Sequence, residues 1–119
     1  NPDSIDQARM NAARNGLTER TAFVAGDVAR LLRAELSACS ALVVDPPRRG
    51  LESSVVDAIL ENPPELVAYL SCNVATQARD LNRLLNPQGC YALEHLQPID
   101  FFPQTTHLEN LALLRRISS

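Results

Sequence analysis

Apolar residues open the chain at helical spacing: Ile5, Ala8, Ala12 and Ala13 share one face, Pro2-Asp3-Ser4 is a start signal, and Gly16 stands where a helix would end. A short amphipathic helix is predicted over residues 4–15. The segment TAFVAGD, residues 21–27, reads as a strand, and helical spacing resumes over 28–36 through Ala29, Leu32 and Leu36, with a strand-to-helix turn at Gly26-Asp27. ALVVD, residues 41–45, is a continuous apolar run, the mark of a strand buried on both faces, and Pro46-Pro47 stops it. Residues 53–60 give another helix, closed by Asn62-Pro63-Pro64. LVAYLSC, residues 66–72, is a second buried strand, and a helix follows over 75–85 with Leu81, Leu84 and Leu85 on its inner side. After a turn at 86–89, YALEHL (91–96) and LENLALLRR (108–116) read as two late strands joined by the loop QPIDFFPQTTH.

Strands alternating with helices define an α/β fold with a parallel sheet covered on both faces, and the terminal strand pair supplies an antiparallel edge. Ligands of such sheets collect at the carboxyl ends of the strands, near the point where strand order reverses. Asp27, Asp45 and Cys72 all sit at predicted strand ends.

The length of 119 residues fits a single domain or part of one. Trp is absent and aromatics are 4%, so the core has to rest on Leu, Val, Ile and Ala. A net charge of -3 argues against holding nucleic acid by bulk electrostatics, so any RNA affinity is local or supplied elsewhere. No apolar run approaches the roughly 20 residues that span a bilayer, and residues 1–10 lack the basic and apolar regions of a leader, so no membrane partner and a cytoplasmic location are expected. Cys39, Cys72 and Cys90 are odd in number and far apart, which reads as reduced thiols rather than a disulfide framework or a metal site. The chain opens at Asn1 without an initiator Met, and it is read as incomplete.

Three stretches carry candidate chemistry. Asp45-Pro46-Pro47-Arg48-Arg49-Gly50 follows a strand, so the carboxylate emerges at the sheet rim on a stiffened backbone; a proline-rigid turn capped by Asp is the plainer alternative. Ser71-Cys72-Asn73 places a thiol near the backbone N–H groups at the start of a helix, a setting that favours nucleophilic thiols, although a buried structural Cys is the commoner fate. Cys39 and Cys90 lack that setting and fit the structural role. The loop at 102–109 feeds Glu109 into an apolar strand, where a carboxylate is costly unless paired, functional or simply facing water. His107 reads as a hydrogen-bonding loop residue rather than a metal ligand, because no second ligand stands at a suitable spacing; no metal is expected.

DPPRRGL, then YLSCN, then FPQTTHLENLALL, in this order, resemble the signature of the RNA 5-methyluridine methyltransferase family, which modifies tRNA or large-subunit rRNA. NPDSIDQARMNAARNGL also resembles the family's segment just after its second strand, so the resemblance covers essentially the whole chain. It implies a Rossmann-like, S-adenosylmethionine-dependent methyltransferase fold and an enzyme acting on RNA. It implies that Cys72 adds to uracil C6, that Glu109 removes the C5 proton as general base, and that Asp45 lines the pocket where cofactor and base meet. Asp27 matches the position near the adenine of the cofactor, while Asp45, Pro46, Arg48 and His107 are the implied substrate-binding residues. Family members flip the target base out of its stack. The loop QPIDFFPQTTH is nearer to the rRNA enzymes than to the tRNA enzymes.

The family's Gly-rich loop, ribose-binding acid and base-contacting Gln would precede Asn1, so residues 1–119 are expected to be the C-terminal portion of the catalytic domain, lacking its first two strands and inactive alone. In the family strand order 3-2-1-4-5-7-6, the strand at 21–27 would then move beside the strand at 41–45, or a second copy would cover that edge in a homo-oligomer. Two other readings stand beside this one. An amino-methyltransferase using the DPP motif would need no nucleophile, but Arg48 replaces the aromatic residue such enzymes stack on the base. A Rossmann-like interaction module would need neither Cys72 nor Glu109.

Overall fold

The computed structural model of the chain describes residues 1–101, 103–105 and 107–117. Its elements run α1 (Pro2–Arg14), α2 (Val28–Glu35), β1 (Ala41–Val44), α3 (Ser53–Glu61), β2 (Leu66–Ser71), α4 (Val74–Leu84), β3 (Tyr91–Ile99) and β4 (Glu109–Arg116). Single 3₁₀ turns lie at Thr18–Arg20 and Leu36–Ala38. Helix α1 starts earlier than its periodicity predicts because Asn1 caps it, accepting from the Asp3 N–H at 3.0 Å, and Gly16 at φ 68° closes it as expected.

The four strands form one sheet in the order β1-β2-β4-β3. Strands β1 and β2 are parallel across α3, while β4 lies antiparallel between β2 and β3. The register Ser71↔Asn110 therefore sets the end of β2 beside the start of β4. In the numbering of the expected seven-strand order this is 4-5-7-6, so the α/β fold class read from the sequence holds, with a mixed sheet.

One face of the sheet is buried. Val67 and Tyr69 of β2 and Ala112 and Leu114 of β4 meet Ala29 of α2, Val55, Val56 and Ile59 of α3, and Leu81 and Leu84 of α4. Each fully buried aliphatic side chain of this kind stabilises the fold by roughly 1.5–3 kcal/mol relative to exposure. Tyr69 belongs to this core, with its hydroxyl donating to buried Asp80 at 2.7 Å. Burial, reinforced by the Asp80 carboxylate, pushes the Tyr69 phenol well above its ordinary range, so it stays a neutral donor.

Three expectations fail in the same region. Residues 21–27 form no strand; Phe23 is only half-buried, and its carbonyl accepts from Arg9 Nη2 at 2.8 Å. A strand needs a neighbour for its backbone groups, and this segment does not move beside β1 to find one. Strand β1, expected to be buried on both faces, leaves Val43 76% exposed, because α2–α4 all pack on one side of the sheet. The opposite face, with Val43 and Leu66 exposed, carries no helix of the core cluster. An apolar run reports that a strand can be buried, not that both covering layers are at hand. Cys39 is exposed rather than structural; Cys90 is half-buried, and burial pushes its thiol up. No helix among the described residues is long and apolar enough to cross a membrane.

Candidate active site

The carboxyl ends of β1 and β2 and the start of β4 share one rim of the sheet. Asp45 leaves the end of β1 and Cys72 the end of β2, and both are exposed. Glu109 opens β4, half-buried. Ser71 and Asn110 are the last pair of the β2–β4 ladder, so Cys72 and Glu109 each stand one residue beyond that pair, next to adjacent strands. Parity along β4 sets Glu109 on the sheet side opposite buried Asn110.

The fold also gathers Asp27 and Asp45. Together with Pro46 they line a cleft of about 340 Å³ whose walls include Val28, Ala29, Val44 and Val55. Asp27 has a structural task as well: it is the N-cap of α2 and accepts from the Arg30 N–H at 3.0 Å through Oδ2. Cys72, Glu109, Arg48 and His107 are not among that cleft's lining residues. His107 is exposed, and its backbone N–H donates to Thr105 Oγ1 at 3.2 Å. Phe102 and Thr106 of the same motif lie outside the described residues. Among the described residues no cluster of His, Cys, Asp or Glu has the arrangement of a metal site.

The loop between β1 and α3 is fastened to α4. The Arg48 carbonyl accepts from Asn73 Nδ2 at 3.0 Å and from Thr76 Oγ1 at 2.8 Å, and Arg79 Nη2 donates to the Arg49 carbonyl at 2.9 Å. Asp80 takes the Leu51 N–H at 2.8 Å on the oxygen that also accepts from Tyr69, while its other oxygen faces Arg79 at 2.9 Å. Arg48 thus acts here through its backbone, which ties the Asp45 loop to the helix that begins just after Cys72. The Cys72 backbone is held in turn by Ser71, whose Oγ donates to the Asn73 carbonyl at 2.9 Å and accepts from the Asn73 N–H at 3.0 Å.

Sequence reasoning missed Asn73, Thr76, Gln77, Asp80 and Asn110. A signal for two of them existed: Gln77, Asp80, Leu81 and Leu84 share one helical face, so a polar pair stands at core-facing positions. Buried polar groups at such places have to be satisfied, and here they fasten the rim.

A family model described as tRNA (uracil-5-)-methyltransferase matches residues 3–117. The chain belongs to this family. An uncharacterized RNA methyltransferase of Parasynechococcus marenigrum is 75% identical over the whole chain, which spans 26% of that relative. Another, from Gloeobacter violaceus, is 48% identical over 95% of the chain and 24% of the relative. Among solved structures, Pyrococcus abyssi tRNA (uracil-54, C5)-methyltransferase in complex with S-adenosyl-L-homocysteine superposes with a TM-score of 0.75 at 31% identity, covering 96% of this chain and 26% of that one. The chain therefore spans about a quarter of the length of these relatives.

Within this family framework, Gly50 is the residue the rim loop can least exchange. Its φ is +80°, and a Cβ there would lie 2.7 Å from Asp80 Oδ2 and 2.7 Å from Arg79 Nη2. Gly50→Ala is expected to cost about 2 kcal/mol or more, from the left-handed backbone and the displaced Asp80 together. Thermal unfolding checks this, and an unchanged midpoint would show that the loop relaxes without loss.

Proposed function

We propose that the full-length protein containing this chain transfers a methyl group from S-adenosylmethionine to C5 of a uridine in RNA through a covalent Cys72–C6 adduct. The observation that carries the reading is the emergence of a free, exposed thiol and a carboxylate from adjacent strands at the rim that also bears Asp45.

Uracil C5 is a poor nucleophile until an electron pair is pushed onto it. The Cys72 thiolate forms a bond to C6, the C5–C6 π pair moves to C5 and the C4 carbonyl, and the ring becomes an enolate. S-adenosylmethionine, when bound, supplies the electrophilic methyl that C5 takes. C5 then carries both a methyl and a proton. Glu109 removes that proton, the pair left behind re-forms the C5–C6 double bond, and the thiolate of Cys72 leaves. The half-buried position of Glu109 at the strand start suits a base that must reach the ring.

The residues of the cleft fit the cofactor's chemistry. Carboxylates of Asp27 and Asp45 would accept from an exocyclic amino group and offset a sulfonium charge, and Val28, Ala29 and Val55 would give an apolar bed for a flat ring. Asp45, with Pro46, would serve cofactor and target base alike in this reading. The 119 residues alone are expected to bind S-adenosylmethionine weakly or not at all and to leave RNA unmethylated. A calorimetric titration giving micromolar affinity for the isolated chain would overturn that part.

The resemblance of the loop before Glu109 favours rRNA as substrate, whereas the similar Pyrococcus abyssi protein is a tRNA enzyme. Mass spectrometry of nucleosides from purified rRNA and tRNA of a strain lacking the full-length gene tests the function. Loss of 5-methyluridine from one pool identifies the substrate, and unchanged 5-methyluridine with loss of a methylated adenine would replace the reading by amino-methylation.

A further inference from the structure

We propose that Gln77 is the positioning residue for the general base, holding the start of β4 against β2 so that Glu109 stands across from the thiol. This inference rests on the covalent reading above and deepens it by assigning a residue to the proton-removal half of the reaction.

Gln77 lies on α4 with 1% of its surface exposed, beneath the rim rather than in it. Its side chain uses three hydrogen-bonding positions. Nε2 donates to the Tyr69 carbonyl of β2 at 3.1 Å and to the Asn110 carbonyl of β4 at 3.0 Å, and Oε1 accepts from Asn110 Nδ2 at 2.7 Å. One buried amide therefore bridges the two strands whose ends carry Cys72 and Glu109, and two of its bonds go to the residue bonded directly to Glu109. No buried side-chain nitrogen or oxygen among the described residues lacks a partner, so the Gln77 and Asn110 amides are satisfied where they stand.

The thiol side has separate supports. Cys72 is flanked by Ser71 and Asn73, which bond to each other, and Asn73 Nδ2 reaches the Arg48 carbonyl at 3.0 Å. Both strands also have an outer neighbour, β1 pairing β2 as far as Tyr69 and β3 pairing β4 as far as Glu109. Two of the three Gln77 bonds go to Asn110 and one to Tyr69, so removing the amide loosens the β4 end more than the β2 end, and the two half-reactions respond differently. Adduct formation needs Cys72, whereas adduct release needs Glu109.

The test uses the full-length protein, S-adenosylmethionine and an RNA transcript that the wild-type protein methylates, with three readouts: the rate at which RNA-linked protein appears on a denaturing gel, the rate at which methylated RNA is released, and the thermal midpoint. Gln77→Met, close in size but without the amide, is expected to form linked protein at the wild-type rate and to release methylated RNA about ten- to a hundredfold more slowly, so linked protein accumulates. Equal slowing of both steps in parallel with a lowered midpoint, or no change in either step, overturns the proposal. Asn110→Ala gives up only the bond at 2.7 Å and carries the test if Gln77→Met does not fold. It is expected to slow release alone by about three- to tenfold, and equal slowing or no change is again contrary. Linked protein seen in the wild type and in Glu109→Gln, with release by Gln77→Met unaltered, defeats this inference only. Its absence from both, with methylation intact, defeats the covalent reading and this inference together.

Discussion

Replacing Cys72 with alanine is expected to abolish methylation by the full-length protein, with kcat falling on the order of 10⁴-fold or more while folding is unaffected. Removal of a covalent nucleophile costs factors of this size because the remaining binding and orientation cannot activate the substrate. For uracil the dependence is severe, since C5 is not nucleophilic until a group adds at C6. Stability should hold because Cys72 is exposed and not part of the core cluster, so the change leaves no cavity. Single-turnover transfer of labelled methyl to the RNA checks the rate, and a thermal scan checks the fold. Wild-type transfer by Cys72→Ala would favour the amino-methylation alternative, which uses the Asp45-Pro46-Pro47 loop without any thiol.

The second large effect is of a different kind. Glu109→Gln keeps shape and hydrogen bonding but gives up the base, so addition and methylation proceed while loss of the C5 proton slows about 10²- to 10⁴-fold. Multiple turnover stops and RNA-linked protein builds up. Wild-type turnover in Glu109→Gln, with no build-up, would mean that another group removes the proton and that Glu109 is a strand-edge carboxylate facing water.

These two substitutions act at residues that the sequence makes visible, and the reason is physical. Cys72 and Glu109 are polar or reactive groups at the ends of strongly apolar runs, where a change of pattern marks a strand terminus. The helices and the four strands are readable within a few residues because their periodicity is local, and β3 simply runs on to Ile99. Strand order is not local, and only the family resemblance supplies it. The burial of β1 is not legible because ALVV cannot report whether a layer lies on each side; Val43 finds nothing over it, and the segment at 21–27 finds no strand to pair with.

The supporting layer is the least legible part. Asp80 and Gln77 are ordinary polar letters in a helix, and only the three-dimensional register sets one against Leu51 and Tyr69 and the other against Asn110. Their cue, polar residues on the inner face of α4, is visible once that face is known to be inner. Asp27 illustrates the converse: a reading of it as a cofactor residue misses its capping bond to the Arg30 N–H, which fixes the mouth of the cleft it shares with Asp45.

The most direct measurement is peptide mapping by mass spectrometry of Glu109→Gln full-length protein after reaction with S-adenosylmethionine and substrate RNA. A methylated uridine cross-linked to the peptide containing Cys72 is the predicted result. A cross-link at Cys39 or Cys90, or turnover with no cross-link at any cysteine, would contradict the account.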